Sequence, residues 1–395
     1  MHVDKGYHYS DPGRGLRRTQ IWGEQNILIA SESYCEIDRY LEENSIKNIL
    51  LVCDSSLKFL KIDGYFKSLK DRTGVEVAYF SDFQPNPLYE SVVEGVKLFH
   101  DKKCEAIFAV GGGSAIDVAK CIKLYSNMDH TQNYLKQEIV PNDVKLLAIP
   151  TTAGTGSEAT RYAVIYFEGV KQSVTDYSII PSTVVMDASA LSTLPAYQKK
   201  ATMMDALCHA IESFWSVNST DESKQYSKQA IELILGNMDA YQAGDDSKNE
   251  IMLKSANIAG KAINITQTTA GHAMCYKLTS LYGIAHGHAA ALCVAKLWPY
   301  MVEHLDKCID SRGQEYLNGI FSEIASAMGC VTVQDAIVKF QGIVDSLGLG
   351  APEMKDESDY EKLRTSVNPV RLKNNPVGLD EDAIDGIYHE IFRGA

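Results

Sequence analysis

The chain has 395 residues and a formal net charge of −13, with 45% hydrophobic and 23% charged residues. This composition is typical of a globular protein, and the length predicts two or three domains. The acidic balance, without a basic run interleaved with aromatic residues, argues against a nucleic-acid partner. The sequence also lacks an apolar signal core and an apolar stretch of about 18 residues, so we expect a cytoplasmic protein with no membrane span.

Short apolar runs alternate with amphipathic stretches through the first half of the chain. Buried strands are predicted at residues 47–54, 75–80, 104–110 and 144–150, and the segments between them have helical spacing. Strands that alternate with helices predict a parallel sheet covered on both faces. We therefore expect a Rossmann-like α/β domain over residues 1–190. Such sheets bind ligands beyond the carboxyl ends of their strands.

The character of the sequence changes after residues 181–195. Helical periodicity dominates from there on, without a convincing β-rich run. We therefore expect an all-helical second domain over residues 191–395.

Two turns rich in glycine and small hydroxyl residues directly follow predicted strands. The first is GGGSAIDVAK (111–120) and the second is TTAGTGSEAT (151–160). Glycines let the backbone approach a ligand, and the amides of a helix N-terminus favour an anion such as a nucleotide pyrophosphate. One such turn needs no ligand, but two after separate strands favour nucleotide binding. The candidate cofactor-binding residues in the turns are Gly111, Gly112, Gly113, Ser114, Asp117, Thr151, Thr152, Thr155 and Ser157.

Asp54 ends the first predicted strand and is a further candidate cofactor-binding residue. Its carboxylate could accept hydrogen bonds from an adenosine ribose and would repel a 2′-phosphate, which favours NAD(H) without excluding NADP(H). The alternative is an ordinary capping residue at a strand end. The arrangement differs from the usual dinucleotide fingerprint, because Ile116 stands where that pattern has its third glycine.

A metal site is predicted from four residues of the second half. Asp205 and His209 lie four residues apart on a predicted helix, hence on one face. His272 and His286 follow downstream and could complete an Asp/His/His/His shell. Such a set suits Fe²⁺, Zn²⁺, Co²⁺, Ni²⁺ or Mn²⁺. A lone histidine on a helix is usually structural, so the hypothesis depends on all four converging.

Six motifs resemble, in order and spacing, those of the iron-containing (group III) alcohol dehydrogenases. They are GGGSAIDVAK, PTTAGTGSEAT, DALCHAIES, GH at 271–272, AHG at 285–287 and RLKNNPVGLDEDAIDGIY. The resemblance covers nearly the whole chain.

The resemblance implies a nucleotide-binding α/β domain and a helical metal domain of the dehydroquinate synthase-like fold, with the active site between them. It also implies NAD(P)(H), a divalent metal that is Fe²⁺ first and Zn²⁺ second, and a homodimer or larger assembly. The ligands it implies are Asp205, His209, His272 and His286.

One position departs from the family pattern. Many members carry a histidine one turn after the third metal ligand, assigned to proton relay, whereas this chain has Tyr276. A phenol has a reference pKa of about 10 and would need the field of the metal to act at neutral pH. The catalytic residues expected from the resemblance are therefore Asp205 and His272, with Tyr276 as the candidate proton relay.

Two stretches are similar to the phosphonoacetaldehyde reductase branch of the family, namely GHAMCYKLTSLYGIAHG and EATRYAV. This similarity implies reduction of phosphonoacetaldehyde to 2-hydroxyethylphosphonate, with Arg161 and Lys277 as candidate partners of the phosphonate. Three alternatives stay open: a general short-chain alcohol/aldehyde dehydrogenase, a dehydroquinate synthase-like lyase, and a non-catalytic nucleotide-binding protein.

Overall fold

A computed structural model describes residues 25–393 of the chain. The strands are β1 (Asn26–Ile29), β2 (Asn48–Cys53), β3 (Glu76–Phe80), β4 (Ala106–Gly111), β5 (Lys145–Pro150), β6 (Tyr162–Phe167), β7 (Val170–Thr175) and β8 (Thr183–Met186). The helices of the first half are α1 (Cys35–Glu43), α2 (Ile62–Thr73), α3 (Tyr89–Asp101) and α4 (Gly113–Tyr125). Those of the second half are α5 (Ala196–Trp215), α6 (Asp221–Gln242), α7 (Asn249–Thr266), α8 (Ala270–Tyr282), α9 (His286–Glu303), α10 (Gln314–Ala327), α11 (Val333–Ser346), α12 (Asp359–Thr365), α13 (Pro369–Leu372) and α14 (Glu381–Phe392).

Six strands form one parallel sheet in the order β1-β8-β5-β4-β2-β3. The central strands β2, β4 and β5 are continuous apolar runs and are almost entirely buried, as expected when both faces of a sheet are covered. Helices α1 and α2 cover one face, and α3 and α4 cover the other. The predicted α/β fold with a parallel sheet is confirmed.

Four strands were not predicted from the sequence. Strands β1 and β8 have only four residues each and pair with one another at one side of the sheet. Strands β6 and β7 form a separate antiparallel hairpin. The hairpin turns at Glu168 and Gly169, which both have positive φ angles, as a tight two-residue β-turn requires. This hairpin directly follows the second glycine-rich turn and becomes important at the site below.

The second half is built around α5, a 20-residue helix with no acidic residue in its first turn and no basic residue in its last. Fifteen of its residues are buried, so the helix is enclosed around most of its circumference by α6, α7, α9 and α10. This explains why its sequence, AYQKKATMMDALCHAIESFW, carries an apolar majority. A polar side chain of α5 that faces inward is therefore cut off from solvent and must find a partner.

The predicted division into residues 1–190 and 191–395 stays a prediction. In the structure β8 ends at Met186 and α5 begins at Ala196. Residues 1–24 and 394–395 of the predicted domains lie outside the described residues. Within residues 25–393, none of the helices has the length and apolarity needed to cross a membrane.

Candidate metal and nucleotide site

The two glycine-rich turns and Asp54 lie at one edge of the sheet. Asp54 follows β2, Gly112 follows β4 and Thr151 follows β5, and these three parallel strands end side by side. From β2 the chain passes to β3 on one side and then to β4 on the other, so the strand order reverses between β2 and β4. A crevice at such a reversal is where open α/β sheets bind nucleotides.

The two turns are in direct contact. The amide of Thr151 donates to the carbonyl of Gly111 at 3.1 Å. A Cβ atom on Gly113 would lie 3.0 Å from Cγ2 of Thr155, and one on Gly112 would lie 3.5 Å from the side chain of Thr152. A side chain at Gly113 would therefore press on Thr155, whereas a methyl group at Gly112 would make an ordinary contact. Ser114 lies in the first turn of α4, directly after these glycines.

Asp54 faces the first turn, as its predicted role requires. One of its carboxylate oxygens accepts a hydrogen bond from the amide of Ser56 at 2.8 Å. A Cβ atom on Gly111 would lie 3.4 Å from the other oxygen, Oδ2. The carboxylate is thus fixed at the strand reversal, and Oδ2 stays available to a ligand hydroxyl.

Asp117 and Ser157 are held by the protein itself. The carboxylate of Asp117 accepts from Ser157 Oγ at 2.6 Å and from the amide of Val164 at 2.9 Å. These bonds tie α4 to the second turn and to the hairpin. A direct contact of either residue with a cofactor stays a prediction, whereas their role in fixing the turns is visible in the structure.

Lys120 was not among the predicted site residues. It lies beneath the second glycine-rich turn. Its side chain is fully buried and donates to Ser157 Oγ at 3.1 Å and to the carbonyls of Thr160 and Tyr162 at 2.8 and 2.7 Å. Burial lowers its pKa to about 8, against the attraction of Asp117. It stands at the end of GGGSAIDVAK, but nothing in the sequence indicates that its ammonium turns inward.

Two further glycines join the second turn to the helical half. A Cβ atom on Gly154 would lie 2.8 Å from Cβ of Thr202 in α5. Gly156 has a φ of +58° and packs against Gly260 of α7, where a Cβ atom would lie 2.6 Å from the Gly260 Cα. Since both neighbours are backbone or branched groups that cannot yield, glycine is required here. The nucleotide turn is therefore placed directly against the helix that carries Asp205.

The structure brings together three of the four predicted metal ligands. Ligand atoms of Asp205, His272 and His286 all lie within 4.8 Å of one another. Nε2 of His272 is 3.4 Å from Oδ1 of Asp205, and both side chains are buried. Residues from α5, α8 and α9 thus converge on one point, which is the arrangement of a metal site.

His209, the fourth predicted ligand, lies beside this cluster and outside its 4.8 Å limit. Its ring stacks on that of His272 with 4.4 Å between centroids. Nδ1 of His209 is buried and has no hydrogen-bond partner among the described residues. A buried nitrogen without a partner is costly, and a metal ion would satisfy it.

Glycines beside His272 and His286 allow the three helices to meet. A Cβ atom on Gly271 would lie 2.6 Å from Oε1 of Glu212. One on Gly287 would lie 2.0 Å from the carbonyl oxygen of Ala201 and 2.6 Å from Cβ of Asp205. The glycines of the GH pair (271–272) and the HG pair (286–287) are therefore explained sterically, because α8 and α9 touch α5 at these points.

Glu212 is a candidate functional residue that was not predicted from the sequence. It is fully buried, and its Oε2 accepts a hydrogen bond from Nδ1 of His272. Its Oε1 accepts from Thr269 Oγ1 at 2.7 Å and from the His272 amide at 3.2 Å. A carboxylate on the far nitrogen fixes the ring of a metal-binding histidine and makes it a better ligand, so Nε2 is the free ligand atom of His272. The signal was its place three residues after His209 on the same face of α5.

The electrostatics of the cluster favour a cation. Burial lowers the pKa values of His209 and His286 to about 4, so both imidazoles are neutral at pH 7. Against its burial, the surrounding imidazoles hold the pKa of Asp205 well below its usual value. Against its own burial, Glu212 and Asp205 raise the pKa of His272 to about 10. Without a metal the two carboxylates thus retain a proton on His272, and a divalent ion would replace that positive charge.

Tyr276 packs against the cluster from α8. Its ring centroid is 5.3 Å from that of His286. The ammonium of Lys171, from the β6-β7 hairpin, lies 3.2 Å from the centroid of the Tyr276 ring. Burial raises the pKa of Tyr276, but the positive charges of Lys171 and Arg371, with a smaller contribution from His272, lower it, and the net shift is downward. Lys171 and Arg371 were not predicted as site residues.

The two cations predicted to bind a phosphonate are placed differently. The guanidinium of Arg161 donates to Tyr177 Oη at 3.0 Å and to the carbonyl of Asn264, and it stacks on the rings of Tyr162 and Tyr177. Arg161 therefore fastens the hairpin base to α7. Lys277 has a half-buried side chain on α8 with no ion pair among the described residues. Neither is seen in contact with the ligand cluster.

Two family models match the chain. One is described as iron-containing alcohol dehydrogenase and matches residues 25–188, and the other is the C-terminal domain of the Fe-containing alcohol dehydrogenase family and matches residues 199–392. Long-chain-alcohol dehydrogenase 1 of Geobacillus thermodenitrificans is 30% identical over 363 residues, which cover 88% of this chain and 90% of that protein. A phosphonoacetaldehyde reductase of Streptomyces viridochromogenes is 28% identical over 302 residues, which cover 73% of this chain and 76% of that protein.

A solved structure has the same fold. It is a sulfoacetaldehyde reductase from Bifidobacterium kashiwanohense in complex with NAD⁺, with a TM-score of 0.82. Its sequence identity is 24%, and the match covers 94% of this chain and 98% of the other. The similarity extends over both halves, so the sheet and the helical half share their arrangement with that protein.

Proposed function

Since this chain belongs to the iron-containing alcohol dehydrogenase family and is an oxidoreductase of that class, we propose that it reduces a short aldehyde to a primary alcohol with a nicotinamide cofactor at a divalent-metal site. The observation that carries this proposal is the convergence of Asp205, His272 and His286 at a helix, α5, that the second glycine-rich turn contacts, while that turn also contacts the first. A structural metal site would have no need of the neighbouring turns.

The donor set fits a divalent transition metal. One carboxylate oxygen and two imidazole nitrogens lie in one buried cluster, and His209 offers a further nitrogen beside it. Mixed oxygen and nitrogen donors suit Fe²⁺ and Zn²⁺, and Fe²⁺ is the one the family name favours. Bound there, the ion would supply Lewis-acid polarisation of the substrate carbonyl.

The nicotinamide cofactor, which would supply the hydride, is proposed to lie across the strand reversal. The turns at 111–117 and 151–157 would face its phosphates, and Asp54 would accept from the adenosine ribose. NADH is the preferred form in this account because a 2′-phosphate would meet the Asp54 carboxylate.

Tyr276 is proposed to deliver the proton that the alcohol product requires. Its phenol lies beside His286, and its lowered pKa brings it closer to the working pH, as efficient proton transfer requires. Asp205 and His272 would act indirectly, as ligands of the metal ion. The route differs from that of family members with a histidine at this position.

For the substrate we propose phosphonoacetaldehyde, with 2-hydroxyethylphosphonate as the product. The 28% identity with a phosphonoacetaldehyde reductase supports this choice, and the similar identity with a long-chain-alcohol dehydrogenase supports the broader class alone. The homodimer and the cytoplasmic location implied by composition and resemblance stay predictions, and light scattering would test the first.

The experiment is a substrate comparison with Fe²⁺-reconstituted protein. Oxidation of NADH and of NADPH is followed with phosphonoacetaldehyde, acetaldehyde, propionaldehyde and butyraldehyde. We expect kcat/KM to favour the phosphonate about a hundredfold, which corresponds to about 3 kcal/mol in the transition state. A flat profile would leave a general alcohol dehydrogenase. Consumption of substrate without net oxidation of the cofactor would indicate a lyase of the dehydroquinate synthase type.

A further inference from the structure

Two cationic side chains from opposite halves of the molecule lie at or near Tyr276: Lys171 on the ring itself, and Arg371 on α13, which packs against the helix α8 that carries Tyr276. Lys171 comes from β7 in the hairpin of the first half, and Arg371 from α13 near the end of the chain. The side chains of both are half-buried, and the positive charges of both act on the Tyr276 phenol. Neither forms an ion pair with any residue in the range 25–393.

Lys171 has no hydrogen-bond acceptor within the described residues. Within residues 25–393 its ammonium is seen against the face of the Tyr276 ring, 3.2 Å from the centroid. A cation over an aromatic face gains about 0.5–2 kcal/mol and keeps its N–H donors free for a ligand or for water. The hairpin thus holds an ammonium over Tyr276 without a direct ion pair among the described residues, and the Asp117 carboxylate attracts it only from beyond salt-bridge distance.

The guanidinium of Arg371 donates a hydrogen bond through only one of its three nitrogens among the described residues. Nη1 donates to Oγ1 of Thr268 at 2.9 Å, and Thr268 is buried just ahead of α8. The described part of the chain provides no acceptor for Nη2 or Nε. That bond orients the planar group, and the free N–H donors on Nε and Nη2 lie along one edge, which is suited to bidentate binding of an oxyanion.

Other arginines of the same chain show what a structural role looks like. Arg312 donates to both oxygens of Asp310, to Ser219 and to Tyr316, and so uses its whole guanidinium. Arg161, as described above, is likewise held on several sides. Lys171 and Arg371 differ from these because their charge is oriented but not neutralised.

We propose that Lys171 and Arg371 form the anion subsite of the active site, in which they bind the acidic group of an aldehyde substrate. The proposal rests on the function proposed above and names the residues that would bind the acidic group of its substrate, a short aldehyde that carries a phosphonate or a sulfonate. The aldehyde must be short because Tyr276 contacts both the Lys171 ammonium and the His286 imidazole, so one side chain spans the interval between anion and metal cluster. The phenol in place of the family histidine provides the flat surface on which Lys171 rests.

This subsite also couples the two halves of the molecule. Lys171 belongs to the half with the nucleotide turns, and Arg371 belongs to the helical half. An anion between them is bound only when the hairpin lies over α8.

The test compares Lys171→Ala and Arg371→Ala with the wild-type enzyme. The control is Lys373→Ala, which removes the same charge from an exposed position two residues beyond Arg371. The substrates are phosphonoacetaldehyde, sulfoacetaldehyde and neutral propionaldehyde. The measured quantity is the ratio of kcat/KM for each anionic aldehyde to kcat/KM for propionaldehyde. Circular dichroism confirms that the variants are folded.

We expect each alanine variant to lower that ratio about 10- to 100-fold, the usual effect of removing one charged hydrogen-bonding partner. The loss should appear mainly in KM, and Lys171→Arg should restore part of it. The control should keep the wild-type ratio. The anion whose ratio falls further, phosphonate or sulfonate, is the one the subsite is built for. Equal losses for charged and neutral aldehydes would overturn the proposal.

A binding measurement separates the subsite from the reaction. Isothermal titration calorimetry with 2-hydroxyethylphosphonate and with 2-hydroxyethanesulfonate requires no turnover. If the wild-type protein oxidises no cofactor but binds one of these anions through Lys171 and Arg371, the proposed function fails and the subsite stands. If it reduces neutral aldehydes but binds neither anion, or binds them equally well in the alanine variants, the subsite is wrong and the function stands.

Discussion

His272 donates from Nδ1 to the fully buried carboxylate of Glu212, and this bond decides which nitrogen faces the metal cluster. Glu212→Gln replaces the carboxylate by a neutral amide. The negative charge at residue 212 is then lost, and the hydrogen bond from His272 is weakened. We expect metal affinity to fall about 10- to 100-fold, as for other outer-sphere partners of ligand histidines. Competition with a chelator measures it. Glu303→Gln, at the end of α9, serves as the control, and an unchanged affinity in Glu212→Gln would refute this role.

Gly287 allows α9 to touch α5, so Gly287→Ala should both destabilise the protein and disturb the site. The new methyl group would lie 2.0 Å from the carbonyl oxygen of Ala201, a backbone atom that cannot yield. We expect a loss of more than about 2 kcal/mol in the free energy of unfolding. Gly319→Ala is the matched control, because Gly319 lies in α10 with open space around it and should gain up to about 1 kcal/mol. Denaturant unfolding of both variants tests this, and similar behaviour of the two would contradict the steric account.

Lys120 should make stability depend on pH in alkaline solution. Burial lowers its pKa in the folded protein from 10.5 to about 8. Between these values the unfolded chain binds the additional proton, so the contribution of Lys120 to the free energy of unfolding rises with pH. The free energy of unfolding of the wild type should therefore rise relative to that of Lys120→Met between pH 8 and pH 10. Lys102→Met, at an exposed position, should differ from the wild type by a constant amount. A constant difference for Lys120→Met as well would rule out the shifted titration.

Asp54 should decide between the two nicotinamide cofactors. In Asp54→Asn the charge that repels a 2′-phosphate is absent, while the amide oxygen can still accept from the Ser56 amide. We expect the ratio of kcat/KM for NADPH to that for NADH to rise about tenfold or more, or about 1.4 kcal/mol. The control is Asp71→Asn, on the exposed face of α2. If the ratio is the same in Asp54→Asn and the wild type, the carboxylate does not meet the ribose.

Much of the site could be predicted because its signals are local or belong to the motifs. Asp205 and His209 are one helical turn apart, and the glycine turns directly follow apolar strands. The convergence of Asp205 with His272 and His286 depended on the family resemblance, since spacing alone cannot bring three helices together. The structure adds the steric reason, in the glycines at 271 and 287 that permit contact with α5.

The residues that were missed are those whose role depends on distant packing. Glu212 looks like any helical glutamate until α8 is laid across α5. Lys171 lies on a hairpin whose short strands were not predicted, and its position over Tyr276 follows only from the path of that hairpin. Arg161 was a plausible anion partner by sequence position, but Tyr177 and Asn264 occupy its guanidinium. The sequence shows where the charged residues are, but not which of them have hydrogen-bond partners in the fold.

The most direct test of the central claim is oxidation of NADH in the presence of an aldehyde, measured on chelator-treated protein before and after addition of Fe²⁺, beside Asp205→Asn treated in the same way. We expect the wild-type activity to vanish on removal of the metal and to return with Fe²⁺. Asp205→Asn should remain folded but neither bind the ion tightly nor recover activity. Full activity in the metal-free wild type, or in Asp205→Asn, would contradict the account of a metal-dependent aldehyde reductase built on this cluster.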